Sequence, residues 1–237
     1  MSNTVEAIME ELRNLGSDQI KKIFLKHGAR EPFFGVKVEY LKKILKREKK
    51  NYNLALDLYA TGNSDAMYLA GLMADEKRMT PNDLQRWAKE AYWYMLSDFT
   101  VAWVTAESPH ALNMGLKWID DPAELVASAG WATLSGWAAI TPDAQLDLDC
   151  LNQLLDRVAK QIATAPNRVR YTMNGFVIAI GCYVLPLTDK AAEIAQKIGK
   201  IHVNMGDTAC KVPLATEYIK KIALAGKTGH KRKMARC

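Results

Sequence analysis

Cysteine is scarce in this chain: Cys150, Cys182, Cys210 and Cys237 are far apart, form no CxxC pair, and have only His27, His110, His202 and His230 to supplement them. Neither a zinc site nor a disulfide framework is indicated, and the thiols read as packed or idle. Long apolar runs are also missing. The longest, Phe176 to Leu187, is interrupted by Gly181 and Pro186 and is too short to cross a bilayer. The N-terminus has neither the basic flank nor the apolar stretch of a secretory leader, so the expectation is a soluble cytoplasmic protein, nucleoid-associated if bacterial, with no membrane partner. No alternating strand pattern appears, no Gly-rich phosphate cradle followed by Lys-Ser/Thr, and no Gly-, Pro- or Ser-rich linker. Nothing here calls for a metal or a cofactor.

What is present is helical. Of the 237 residues, 49% are hydrophobic, enough to bury a sizeable core. Apolar residues recur at helical spacing in Ile8, Leu12, Leu15, in Leu41, Ile44, Leu45, and in Leu151, Leu154, Leu155, Val158, Ile162. Helix starts are marked by a cap residue before proline at Thr80-Pro81, Ser108-Pro109, Asp121-Pro122 and Thr141-Pro142, because a proline at the first helical position gives up no hydrogen bond. Pro81 and Pro122 are 41 residues apart, and Pro142 and Pro186 are 44 apart. That period matches helical-hairpin repeats of HEAT type and predicts an all-α fold, an α-solenoid with a concave inner surface. Residues 1–225 are expected to form one repeat domain, followed by a basic tail at 226–237 that reads as a solvated end or as an added attraction for nucleic acid.

Charge is unevenly spread. Residues 21–50 carry a surplus of eight positive charges and residues 51–150 a surplus of nine negative ones, within a net charge of +6. Basic ends could grip a polyanion at two places, although acids of the middle would repel a phosphate backbone wherever they faced it.

Three segments hold candidate functional residues. In YWYMLSDFTVAW, residues 92–103, Asp98 sits among five large aromatics, with no Lys or Arg between Glu90 and Lys117. An acid in such surroundings tends to be desolvated, as chemistry or cation binding would require. It would equally serve as a helix cap ahead of Val101, Val104 and Thr105. In EPFFGVK, residues 31–37, Pro and Gly shape a turn and two Phe anchor it, presenting Lys37, Lys42, Lys43 and Lys46 near a helix N-terminus that suits phosphate. In NRVRY, residues 167–171, Arg168 and Arg170 could clamp a phosphate or pair with acids of a neighbouring repeat. Lys211, in a turn-like stretch around Gly206 and Asp207, is a further DNA-contact candidate.

PFFGVKVEYLKKILK resembles the early segment of the HEAT-like-repeat alkylpurine DNA glycosylases, the AlkD-type DNA alkylation repair proteins. The helical pattern and period agree with that family over essentially the whole chain before the tail. The resemblance implies a monomer that acts on alkylated duplex DNA and releases cationic N3- or N7-alkylpurines without swinging the base into a pocket. By the same resemblance Asp98 is the catalytic carboxylate, stabilising the cationic sugar and positioning water. Trp93, Tyr94, Trp131 and Phe176 become substrate contacts, although aromatics at helical spacing also read as core. The chain departs from the family pattern in three places. Tyr94 and Phe176 stand where the family has tryptophan, and Leu134 stands where it has an arginine. A catalytically inactive DNA-binding member and a protein-interaction solenoid are therefore the other readings.

Overall fold

The computed structural model describes residues 4–236, so Cys237 lies outside the described residues. Thirteen α-helices and no strand are found among them, in the order α1 (Val5–Leu15), α2 (Asp18–Lys26), α3 (Val38–Glu48), α4 (Tyr52–Ala60), α5 (Ser64–Met73), α6 (Pro81–Glu90), a π-helical turn Met95–Val101 running into α7 (Ala102–Ala106), α8 (Ala111–Trp118), α9 (Glu124–Ile140), α10 (Leu148–Gln161), α11 (Asn167–Tyr183), α12 (Thr188–Ile198) and α13 (Ala215–Leu224). The helices form two rows. In the inner row α3 packs on α5, α5 on the π-helical turn, that turn on α9, α9 on α11, and α11 on α13. In the outer row α4, α8 and α12 back onto α5, α9 and α11, and α10 lies against α12. The α-solenoid expected from the spacing of the proline-marked starts is present.

The two rows differ because their sequences do. Outer helices are one-sided: α10 buries Leu151, Leu154, Leu155 and Val158, and α6 buries Leu84, Trp87 and Ala88, each with polar residues opposite. The central inner helices are packed from both sides, so α5 buries all its residues but Tyr68, whereas α3 and α13 at the ends of the row bury only two residues each. Close packing requires small residues at crossings. A Cβ on Gly130 of α9 would come within 2.7 Å of the Ile119 amide nitrogen and 2.9 Å of the Trp118 Cβ at the end of α8. Two apolar clusters result, one over α1–α9 around Tyr59, Trp87 and Trp118, the other over α9–α13 around Trp131 and Phe176.

The cap signals act as expected at Thr80, whose hydroxyl accepts the Asp83 amide while the Asp83 carboxylate accepts the Thr80 amide. Such a cap contributes about 1 kcal/mol. Thr141-Pro142, in contrast, leads only into a 3-10 turn, Asp143–Gln145, and α10 starts later, capped by Asp147. The cause is tertiary. Asp143 accepts the Leu185 amide and pairs with Lys231, so its carboxylate ties the turn to two other segments.

The segment after α13 is not a solvated end. Lys231 donates to the Ala138 carbonyl at 2.8 Å and pairs with Asp143 at 2.7 Å, and the Arg232 amide donates to the Ala139 carbonyl. Ala235 is 1% exposed. Arg236 reaches furthest, pairing with Glu107 at 3.0 Å and Glu76 at 3.2 Å and donating to the Leu72 carbonyl at 3.0 Å. The tail thus fastens the last repeat to α5, because the acids that receive it belong to the acidic middle of the chain.

Candidate nucleic-acid interface

The EPFFGVK turn is shaped by a residue outside it. Asp65, in the first turn of α5, accepts the amides of Phe34 at 2.6 Å, Gly35 at 3.0 Å and Val36 at 3.1 Å. Gly35 has φ +79°, a conformation that a side chain would disfavour. Burial pushes the Asp65 carboxyl above its ordinary value, against the pull of those three amides. Phe33 is buried, Phe34 lies beneath the Arg13 guanidinium, and α3 therefore leaves the turn in a fixed direction. Lys37 sits at its N-cap, and Lys42, Lys43 and Lys46 are exposed along it. These lysines begin the inner row.

Along that row runs a line of aromatic rings in successive contact: Phe33, Phe24, Trp93, Tyr94, Phe99, Trp103 and Tyr68. Trp93 is 5% exposed and its indole donates to the Ser64 hydroxyl at 2.7 Å. Tyr94 is half-buried, with its hydroxyl 3.0 Å from His27 Nδ1.

Asp98 lies in the π-helical turn, a geometry that places an extra residue in the helix and re-aims its side chains. It is not an unneutralised acid, nor does it cap a helix. One carboxylate oxygen accepts the hydroxyls of Ser97 at 2.8 Å and Ser128 at 2.6 Å; the other accepts Arg168 Nε at 3.1 Å and Nη2 at 2.5 Å. Its side chain is 3% exposed. Both lone pairs of each oxygen are therefore occupied. Arg168 in turn lies between two rings, its guanidinium carbon 4.2 Å from the centre of Tyr94 and 4.3 Å from that of Tyr171. Burial pushes both tyrosine hydroxyls up, opposed by the Arg168 charge, so they stay protonated near neutrality. Arg168 pairs with an acid of the neighbouring repeat through its Nε and Nη2, the edge that a phosphate clamp would use.

Two further sequence candidates are displaced from the interface. Trp131 and Phe176 are fully buried and meet edge to face at 5.2 Å, so they join α9 to α11 as core. Leu134, where the resemblance places an arginine, is also fully buried and reaches toward Gly115. Arg170 is half-buried, and its Nε has no hydrogen-bond partner among the described residues. Lys211 is exposed beside a recess of about 280 Å³ that it shares with Tyr94, Phe99, Arg168 and Tyr171. Of the residues that complete the Asp98 cluster, Tyr171 closes the NRVRY segment, whereas Ser128 carries no signal of its own in the sequence.

The loop between α12 and α13 crosses this surface. Asn204 and Asn167 exchange two hydrogen bonds at 2.9 and 2.7 Å, and the Asp207 amide donates to the Lys26 carbonyl at 3.1 Å, at the end of α2. Under it lies a recess of about 360 Å³ lined by His27, Arg30, Trp93, Tyr94, Glu124 and Arg168. No three His, Cys, Asp or Glu side chains gather as metal ligands among the described residues.

Comparison with known proteins agrees with this architecture. Residues 8–219 match the family described as DNA alkylation repair enzyme. Uncharacterized proteins of Listeria innocua serovar 6a and Listeria monocytogenes serovar 1/2a are each 37% identical over 224 residues, covering 92% of this chain and 96% of theirs. A solved structure described as a new family of proteins related to the HEAT-like repeat DNA glycosylases, with affinity for branched DNA structures, is 39% identical. It superposes with a TM-score of 0.90 over 99% of this chain and 100% of its own.

Proposed function

Because the chain belongs to the DNA alkylation repair enzyme family, we propose that it is a DNA-binding member that holds duplex and branched DNA against its inner row and does not excise bases. It acts as a monomer, in the cytoplasm and on the nucleoid if the source is bacterial. The affinity for branched DNA described for the structural relative supports the choice of ligand. One observation carries the non-enzymatic half of the reading: every acceptor position of Asp98 is taken, two by serine hydroxyls and two by Arg168. A carboxylate that stabilises a cationic sugar must face it with its charge unspent. Here a guanidinium neutralises that charge, and neither water nor sugar has an open lone pair to approach.

Binding then rests on counterion release from exposed cations, with Lys37, Lys42 and Lys43 at the cap and along the first inner helix and Lys211 beside the recess near Arg168. The test has two arms. Affinity for branched and duplex DNA should fall steeply with salt, and K42E/K43E should flatten the logarithmic salt dependence by about two phosphate contacts for all sequences alike. Affinity indifferent to salt would favour a protein-interaction solenoid. In the second arm, methylated duplex DNA incubated with the protein should release no 7-methylguanine or 3-methyladenine. Release that disappears in D98N would overturn the reading and restore excision of cationic N3- or N7-alkylpurines from alkylated duplex.

A further inference from the structure

Gly175, in the middle of α11, is the one glycine of fourteen whose missing side chain the fold does not explain. Each of the others has a positive φ, or a neighbour within 4 Å that an added Cβ would meet. Gly175 has a helical backbone and open space where its Cβ would be. Glycine weakens a helix interior relative to alanine, so a position with no packing reason for it points to something that enters the space. That space is a trough of about 320 Å³ between α9 and α11. Ala132 and Ala179 continue its floor beside Gly175, and Trp103, Tyr183 and Tyr218 wall it. Its volume falls within the range of small-ligand clefts.

We propose that this trough receives one unpaired nucleobase of a branched DNA. The inference rests on the DNA-binding reading above and deepens it by assigning the determinant that separates branched from fully paired DNA. Flat aromatic walls around an apolar floor suit the π-face of a base, whichever base it is, and are unsuited to a phosphate. The trough shares residues with the inner row, since Asp98 and Phe99 line it, and the docked tail residues Arg232 and Ala235 line it too. A branch point supplies unstacked nucleotides that a perfect duplex withholds, so a site for one such base gains affinity only at branches.

The test compares binding to three labelled DNAs: a junction with one unpaired nucleotide at the branch, the same junction with an abasic residue there, and a fully paired duplex. The wild-type protein should prefer the first to the second by about tenfold, the size of one base stacked on aromatic side chains. G175L adds a branched apolar side chain to the trough from a position where a new Cβ meets nothing within 4 Å. It should bind both junctions equally and the paired duplex as the wild type does. Equal wild-type affinity for the base-bearing and abasic junctions overturns the proposal while leaving DNA binding intact. So does a G175L protein that keeps the wild-type preference. Binding to none of the three removes the DNA-binding reading itself, and the proposal with it. The abasic comparison uses no variant, so the proposal remains falsifiable even if G175L folds poorly.

Discussion

Arg168 and Arg236 do the same chemistry in two regions and accomplish different things. Each is a nearly buried guanidinium joined to carboxylates distant in sequence, with side chains 11% and 10% exposed. Arg168 stands on α11 and Asp98 on the π-helical turn, both in the inner row, with α9 contributing Ser128 between them. All three supports are packed elements, so the pair sets the chemistry of the groove surface without deciding whether the groove exists. Arg236 stands on a segment with no helix of its own, and its partners Glu76 and Glu107 are what hold it. An ion pair between rigid elements determines which charges are available; one at a loose chain end determines where that end lies.

Breaking the first pair should have the largest effect. R168A leaves the Asp98 carboxylate buried without its cation, which is expected to cost about 3–5 kcal/mol in urea unfolding. D98L/R168M, which leaves no charge buried, should recover most of that loss. If R168A were as stable as wild type, the pair would be a surface contact and the argument against catalysis would weaken.

R236A should cost less, about 1–3 kcal/mol, because Glu76 keeps Lys50 at 2.6 Å and Glu107, though it loses its cation, still accepts the Ala235 amide at 2.8 Å. Its particular signature is local. Limited proteolysis should cut after residue 225 in R236A under conditions where the wild type is resistant.

A smaller effect is expected from acid. Burial raises the Glu76 carboxyl, but the Lys50 hydrogen bond and the Arg236 charge more than offset this and hold it below its ordinary value of 4.5. A depressed carboxylate contributes stability that is complete above its unfolded value and lost as pH falls through its folded one. Protection of the tail from protease should therefore be flat from neutrality down to about pH 5 and decline below 4.5. R236A should show no such decline.

The smallest change should be a gain. G175A adds a methyl group to open space in a helix interior, and is expected to raise stability by up to ~1 kcal/mol in thermal unfolding. A loss would show that Gly175 has a packing role after all and would remove the motive for the trough.

Several features were legible in the residues alone. The one-sided periodicity of α10, the Thr80-Pro81 start and the repeat spacing need only local physics, since a helix with one apolar face must bury it against another. The lysines of α3 were legible as well, because a charged helix face stays in solvent wherever its apolar face packs. Thr141-Pro142 was misleading because its acid bonds to segments far along the chain. Trp131 and Phe176 were misleading because an aromatic at helical spacing looks the same from either side of a helix.

By itself, then, the sequence determined that this chain is a helical repeat with a basic first inner helix, since both follow from spacing and residue type. Only the tertiary structure decided what its charges do. Asp98 has no cation near it in sequence and a guanidinium donating twice to one of its oxygens in space, from 70 residues away. The tail that reads as five free cations is fastened to Glu76, Glu107 and Asp143, all in the acidic middle. Coulomb interaction depends on distance in space, and stacking one repeat on another brings charges into contact that the linear chain keeps apart.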